Sequence, residues 1–260
     1  MVPPPDNSNE PSPHPPTPMS KTALFSDIHA NLAALQAVIS DAKNQGVSNF
    51  ACLGDVVGYG PKPAECIALV QEVGCVCVKG NHDEDASNER SLDNLSDVAQ
   101  ESLYWTREKL SASQKEWLAA LPYQRRLGRN LLVHASLENP SEWHYIRNKF
   151  DAEIALGNQK APLCFFGHTH VPVVYHADGN KIRKMEGSEA ILSKDSRYLI
   201  NVGSVGQPRD GVPKACYAIY DSAKSLLTYR RLEYDISGVV QSIAEAGLSP
   251  DLGERLEVAA

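Results

Sequence analysis

"TALFSDIHANLAALQAVISDAKNQGVSNFACLGD", residues 22–55, decides how this chain folds. The apolar run TALFS is strand-like. In NLAALQAVISDAKNQG, which follows after Asp27-Ile28-His29-Ala30, the residues Leu32, Leu35, Val38, Ile39 and Ala42 share one helical face, and Gly46 is placed to end the helix. NFACLG returns as a second strand. PAECIALVQEVG (63–74) then reads as a second helix and CVCVKG (75–80) as a third strand. The order β-α-β-α-β predicts a largely parallel sheet with helices on its faces.

The rhythm breaks at residues 85–125, a polar helical insertion in which SLDNLSDVAQESLYWTREKLSASQKEWLAALP predicts two or three helices. Beyond it NLLVHA, PLCFFG, VPVVYHA and RYLINVG read as strands, and KACYAIYD and SLLTYRRLEYD, joined by SAK, as a hairpin. No internal repeat is visible. Residues 1–18, MVPPPDNSNEPSPHPPTP, are nearly half proline and have little to bury, so the sequence predicts a disordered tail ahead of one domain over 19–260. Met19 reads as an alternative initiator, and deletion of the tail is expected to be tolerated.

The composition suits one globular domain: 260 residues, 42% hydrophobic and 22% charged. A net charge of −7 gives no general attraction to nucleic acid or anionic membranes. No apolar run approaches the ~20 residues of a membrane span. The six cysteines, Cys52, Cys66, Cys75, Cys77, Cys164 and Cys216, form no C-x-x-C pair and sit mostly in apolar runs, which predicts buried, reduced thiols in a cytoplasmic protein.

Polar residues collect where strands end. After TALFS come Asp27 and His29; after NFACL, Gly54 and Asp55; after CVCVK, Gly80, Asn81, His82 and Asp83; after LLV, His134; after LCFF, Gly167, His168 and His170. Ligands of open α/β sheets bind at the C-terminal strand edge. Five of the eight histidines lie in this set. Asp, Asn and His without thiolate suit first-row divalent metals such as Mn, Fe, Zn or Co. So many ligands exceed the needs of one ion and suit two ions about 3.5–4 Å apart. Glycines before Asp55, Asn81 and His168 allow a sharp turn and a close approach.

The motifs DIH, GD, GNHD, VHAS and GHTH, in that order, resemble those of the calcineurin-like metallophosphoesterases, from Lys21 to about Asp235. GDVVGYGPKPAEC, WTREKL and NVGSVGQPRDG are similar to the small single-domain microbial phosphoesterases of that family. The resemblance implies a four-layer α/β/β/α sandwich of two mixed sheets with a helical insertion. It implies one metal held by Asp27, His29 and His170, a second by Asn81, His134 and His168, Asp55 bridging both, and His82 as general acid. The implied reaction is hydrolysis of a small phosphorylated substrate by a hydroxide shared between the metals.

The second motif departs from the family pattern. Gly54-Asp55-Val56-Val57-Gly58-Tyr59-Gly60 has Tyr59 where protein phosphatases and symmetrical dinucleoside tetraphosphatases carry a phosphate-clamping arginine. Arg209 in QPRDG is the candidate replacement cation, and Tyr59 a second substrate contact. Other residues carry open readings: Asn31 as helix cap or support for the site, Asp83 as a partner of His82 or a solvated carboxylate, His144 and Tyr145 as pocket lining or packing. Tyr104, Trp105 and Trp117 of the insertion, a candidate cap over the site, either stack on a base or form helical core. His176 reads as an ordinary strand residue and His14 belongs to the tail. The competing functions are a nuclease or dinucleoside-polyphosphate hydrolase on the same metals, the acidic balance arguing against a DNA nuclease, and a non-catalytic protein-binding scaffold, which the complete ligand set disfavours.

Overall fold

The structure, a computed structural model, describes residues 21–179 and 181–260. The tail of residues 1–18, with its proposed restart at Met19, lies outside the described residues. The first half of the chain runs β1 (Lys21–Phe25), α1 (Leu32–Asn44), β2 (Asn49–Cys52), α2 (Pro63–Glu72), β3 (Val76–Cys77), α3 (Asn81–Ser87), α4 (Asp97–Lys109), α5 (Ala112–Ala120), β4 (Gln124–Leu127) and β5 (Asn130–Val133). The second half runs α6 (Lys149–Asn158), β6 (Leu163–Phe166), β7 (Val173–Asp178), β8 (Lys181–Met185), β9 (Glu189–Ile191), β10 (Arg197–Asn201), β11 (Ala215–Asp221), β12 (Leu226–Leu232), α7 (Ile236–Glu245) and α8 (Asp251–Val258).

The strands form two sheets of six, in the orders β3-β2-β1-β11-β12-β9 and β4-β5-β6-β10-β7-β8. Neither is largely parallel, which corrects the expectation drawn from the first hundred residues. β1, β2 and β3 are parallel, as are β5, β6 and β10, but each trio continues into antiparallel neighbours such as β11 beside β1 and β7 beside β10. β7 and β8, and β11 and β12, follow one another with no helix between them, so these neighbours pair antiparallel.

Both faces of the central strands are buried, which explains their continuous apolar runs. In β1, Ala23 and Phe25 pack with α1 residues Leu35, Val38 and Ile39, while Leu24 between them faces Phe165, Ile200 and Val202 of the other sheet. In β6, Leu163 and Phe165 fill that inter-sheet core, and Cys164 and Phe166 pack on Ala152, Ala155 and Leu156 of α6. This two-residue alternation builds the α/β/β/α sandwich. Asp41 of α1 pins its helix to the sheet: Arg230 Nε and Nη2 donate to it at 2.9 and 2.7 Å, and the Tyr217 hydroxyl at 2.6 Å. The six cysteines are free thiols, five of them buried. Among the described residues no helix is long and apolar enough to cross a membrane.

Candidate metal centre

The two parallel trios, β1-β2-β3 and β5-β6-β10, end at the same place, and the side chains beyond them meet between the sheets. Backbone bonds hold the loops together: Asp27 N–H donates to the Gly54 carbonyl, His29 N–H to Asp55, and Gly167 N–H to His134. Five of the expected ligands turn through the left-handed region, Asp27 (φ 53°), His29 (47°), Asp55 (53°), His168 (64°) and His170 (60°). Such conformations cost roughly 1–3 kcal/mol each for non-glycine residues and concentrate at functional sites. Gly167 is required by close approach, since a Cβ there would strike Ser26 Oγ and the Asp27 carboxylate.

The expected ligands fall into two adjoining sets. Asp27, His29 and His170 place ligand atoms within 4.8 Å of one another, and so do Asp55, His134 and His168. Asn81 Oδ1 joins the second set, 3.2 Å from His134 Nε2. Asp55 Oδ2 lies 3.3 Å from His134 Nε2 and 3.7 Å from His29 Nε2, so one carboxylate oxygen stands between the sets. His82 also lies close enough to group with His29 and Asp55.

The orientations of the rings fit bound cations. His29 Nδ1 donates to the Val57 carbonyl (3.2 Å) and His170 Nδ1 to the Gln207 carbonyl (2.6 Å). Their Nε2 atoms then carry lone pairs, yet these face each other at 3.1 Å. Burial holds both imidazoles well below their ordinary pKa, so a proton is a poor mediator between them. His134 Nδ1 donates to the Leu53 carbonyl (2.8 Å), turning Nε2 toward Asn81, Asp55 and His168 Nδ1 at 3.1 Å. Burial opposes charge on His134, but Asp55 and Asp27 overcome it and raise the ring to about 9. Two facing lone pairs on one side, and a ring drawn toward positive charge on the other, are what a nitrogen- and oxygen-seeking divalent ion satisfies.

Residues 21–225 match the calcineurin-like phosphoesterase superfamily domain. The chain belongs to that superfamily. The Methanocaldococcus jannaschii protein MJ0912 is 37% identical over 241 residues, 91% of this chain and 97% of that protein. A metallophosphoesterase from Sphaerobacter thermophilus superimposes with a TM-score of 0.82 at 39% identity, covering 92% of this chain and 99% of its own. PH1004 of Pyrococcus horikoshii shares the fold, with a TM-score of 0.76 at 20% identity over 92% and 98% of the two chains. The protein is therefore a metal-dependent phosphoric ester hydrolase.

Around the ligands this phosphoesterase packs a further layer. Tyr59 (φ 59°) lies with its ring 4.7 Å from His29 and 4.5 Å from His82. The Arg209 guanidinium stands 5.9 Å over the Tyr59 ring and donates to Gln207 Oε1 at 2.8 Å, while its Nε is buried without a partner. Arg209 and Tyr59 thus stand together beside the first ligand set. His82 is buried, its ring Nδ1 has no partner among the described residues, and its backbone N–H donates to Asp55 Oδ1 at 2.9 Å. Asn31 fills both of its open roles: Oδ1 caps α1 through Ala34 N–H, and Nδ2 donates to the Gly206 carbonyl.

The remaining open readings are resolved by position. Asp83 makes no hydrogen bond to the His82 ring and is not solvated. Its fully buried carboxylate accepts from the backbone N–H groups of Asp55 (2.8 Å), Val56 (2.8 Å), Val57 (3.3 Å) and Gly80 (3.0 Å). Burial raises its pKa to about 7, and the amides pull the other way. Trp105 packs under α7 and α8, and Trp117 against the core outside the first sheet, while Tyr104 is exposed with Arg107 against its ring. His144 is exposed, and His176 stacks on Tyr198 at 4.6 Å. Besides Tyr59, the aromatic groups beside the site come from the loop after β5: Tyr145 stacks on His168 at 4.1 Å, and Trp143 lies 5.8 Å from His134.

Proposed function

We propose that this phosphoesterase hydrolyses small phosphate esters at two divalent-ion positions, one held by Asp27, His29 and His170, the other by Asn81, His134 and His168, with Asp55 common to both. The placement of Asp55 Oδ2 between His29 and His134 carries this reading. The chemistry supplied by such a pair of ions, Mn, Fe, Zn or Co by the donor set, is polarisation of the phosphoryl group and acidification of bound water.

The chain's own residues do the rest. Arg209 brings positive charge to the ester's oxygens and Tyr59 supports it from beneath. His82 delivers a proton to the leaving oxygen. Its ring Nδ1 is free of other hydrogen bonds; burial holds the imidazole below its ordinary pKa, and the Asp55 carboxylate offsets only part of that lowering. Helices α4 and α5, the core of the 85–125 insertion, pack on α3 and so brace the element that presents Asn81 and His82.

The test is His82→Asn with Mn²⁺, assayed on p-nitrophenyl phosphate and on an alkyl phosphate. Nitrophenolate leaves without protonation, whereas an alkoxide does not. The variant should keep its metal, lose modestly on the aryl ester, and lose up to the ~10²–10⁴-fold of a general acid on the alkyl ester. Loss of metal would place His82 among the ligands, as its proximity to His29 and Asp55 allows. Equal losses on both esters would give it a charge-stabilising role instead.

A further inference from the structure

The loop between β5 and α6 is folded around its aromatic residues. A single turn, Pro140–Glu142, is flanked by two left-handed residues, Asn139 (φ 46°) and Trp143 (φ 54°, ψ 37°). For a residue as bulky as tryptophan this backbone is a genuine outlier, sustained only where the surroundings fix it. It sets the indole 5.8 Å from the His134 ring at 75°, beside the second ligand set.

Three aromatic side chains line this side of the centre, and two are already engaged. Tyr145 has His168 stacked 4.1 Å from its centroid and the Arg147 guanidinium 3.9 Å from it. Both groups lie against the Tyr145 ring, although the residue itself stays exposed. Tyr123 has the Lys79 ammonium 5.0 Å from its centroid and donates its hydroxyl to Glu84 Oε1 at 2.9 Å. Trp143 packs its ring near Tyr123 (5.7 Å) and His134 but is only half-buried, which leaves indole surface open next to the ligands. A half-buried indole held by a strained backbone beside the ligand sets offers part of its ring surface to whatever binds there.

We propose that Trp143 is a stacking platform for a nucleobase, making the substrate a nucleoside phosphate. The inference rests on the phosphoesterase reading above and narrows it. The flat π-face of a base matches the indole, and its 5′-phosphate reaches the ligand sets while the base lies on the loop.

AMP and ribose 5-phosphate share a scissile bond and differ only by the base. With Mn²⁺, AMP should be favoured in kcat/KM by about 5- to 150-fold, the factor that about 1–3 kcal/mol of base stacking gives at about 1.4 kcal/mol per tenfold. Trp143→Ala should bring the ratio toward one, a comparison that cancels any loss common to both substrates, and Trp143→Phe should retain most of the preference. Binding of both ligands to His82→Asn, measured by calorimetry, separates recognition from turnover. Tighter AMP binding that vanishes in Trp143→Ala, without hydrolysis of either ligand by the wild-type enzyme, would uphold the platform and sink the small-ester reading. Equal efficiency and equal binding of the two ligands, or a preference untouched by Trp143→Ala, would overturn the platform itself.

Discussion

Asp83→Asn changes one atom and should cripple the centre. The carboxylate divides its work: Oδ2 accepts from Asp55 and Gly80, Oδ1 from Val56 and Val57. An asparagine keeps one oxygen and turns the other into a donor. In either orientation two buried backbone N–H groups face an NH₂, and the site is closed to water. Each amide left unsatisfied costs about 1–3 kcal/mol, so the substitution should destabilise by about 2–6 kcal/mol. For a domain of this size that corresponds to a melting temperature lower by roughly 5–20 °C. The consequence for function follows from which amides are lost. In either orientation at least one of them, Asp55 or the pair Val56 and Val57, lies in the loop that carries Asp55, so Asp55 should shift and metal retention should fall alongside stability. Calorimetry and metal analysis on the same preparation check both. A melting temperature within a degree or two of wild type, with metal content intact, would refute the argument that Asp83 fixes this loop.

Gly58 has φ 85°, and a Cβ there would run into His82 Nδ1. Gly58→Ala should therefore displace the His82 ring, lowering turnover of alkyl phosphates about 10-fold or more while leaving the metals bound, as turnover and metal analysis would show. Asp41→Asn should cost about 1–2 kcal/mol at neutral pH, allowing for partial exposure of the pair. The Arg230 hydrogen bonds hold the Asp41 carboxyl below its usual pKa, so this stability is complete above about 4, the unfolded carboxyl value, and disappears as pH falls through the lower folded value. Wild type and variant should thus converge in denaturation midpoint at acid pH and separate at neutral pH.

Much of this was legible in the sequence because of two simple signals. ALF (23–25) and LCFF (163–166) are apolar at every position, and the structure buries both faces of each. The residues after them, Asp27, His29, His168 and His170, sit at strand ends that the structure brings together. The short edge strands gave no comparable signal. Gln124–Leu127 and Lys181–Met185 are exposed along most of their length, and Glu189–Ile191 has only three residues. α7 did carry one, Val239 and Ile243 four apart and both buried, which a motif-led reading passes over. The supporting residues were hidden for another reason. Asp83 acts on amides 26 to 28 residues away, and Tyr145 on a histidine in a different loop. Only the pairing of β2 with β3, and of β5 with β6, brings these loops together, so no local pattern could announce them.

The central claim is that Asp55 serves two ions at once, and metal stoichiometry tests it most directly. Wild type, His170→Ala, His134→Ala and Asp55→Asn would be loaded with Mn²⁺, freed of excess ion and assayed for bound metal per chain. The account predicts two ions in wild type, loss of mainly one in each histidine variant, and loss of both in Asp55→Asn. Two firmly held ions in Asp55→Asn, or a single ion in wild type, would contradict it.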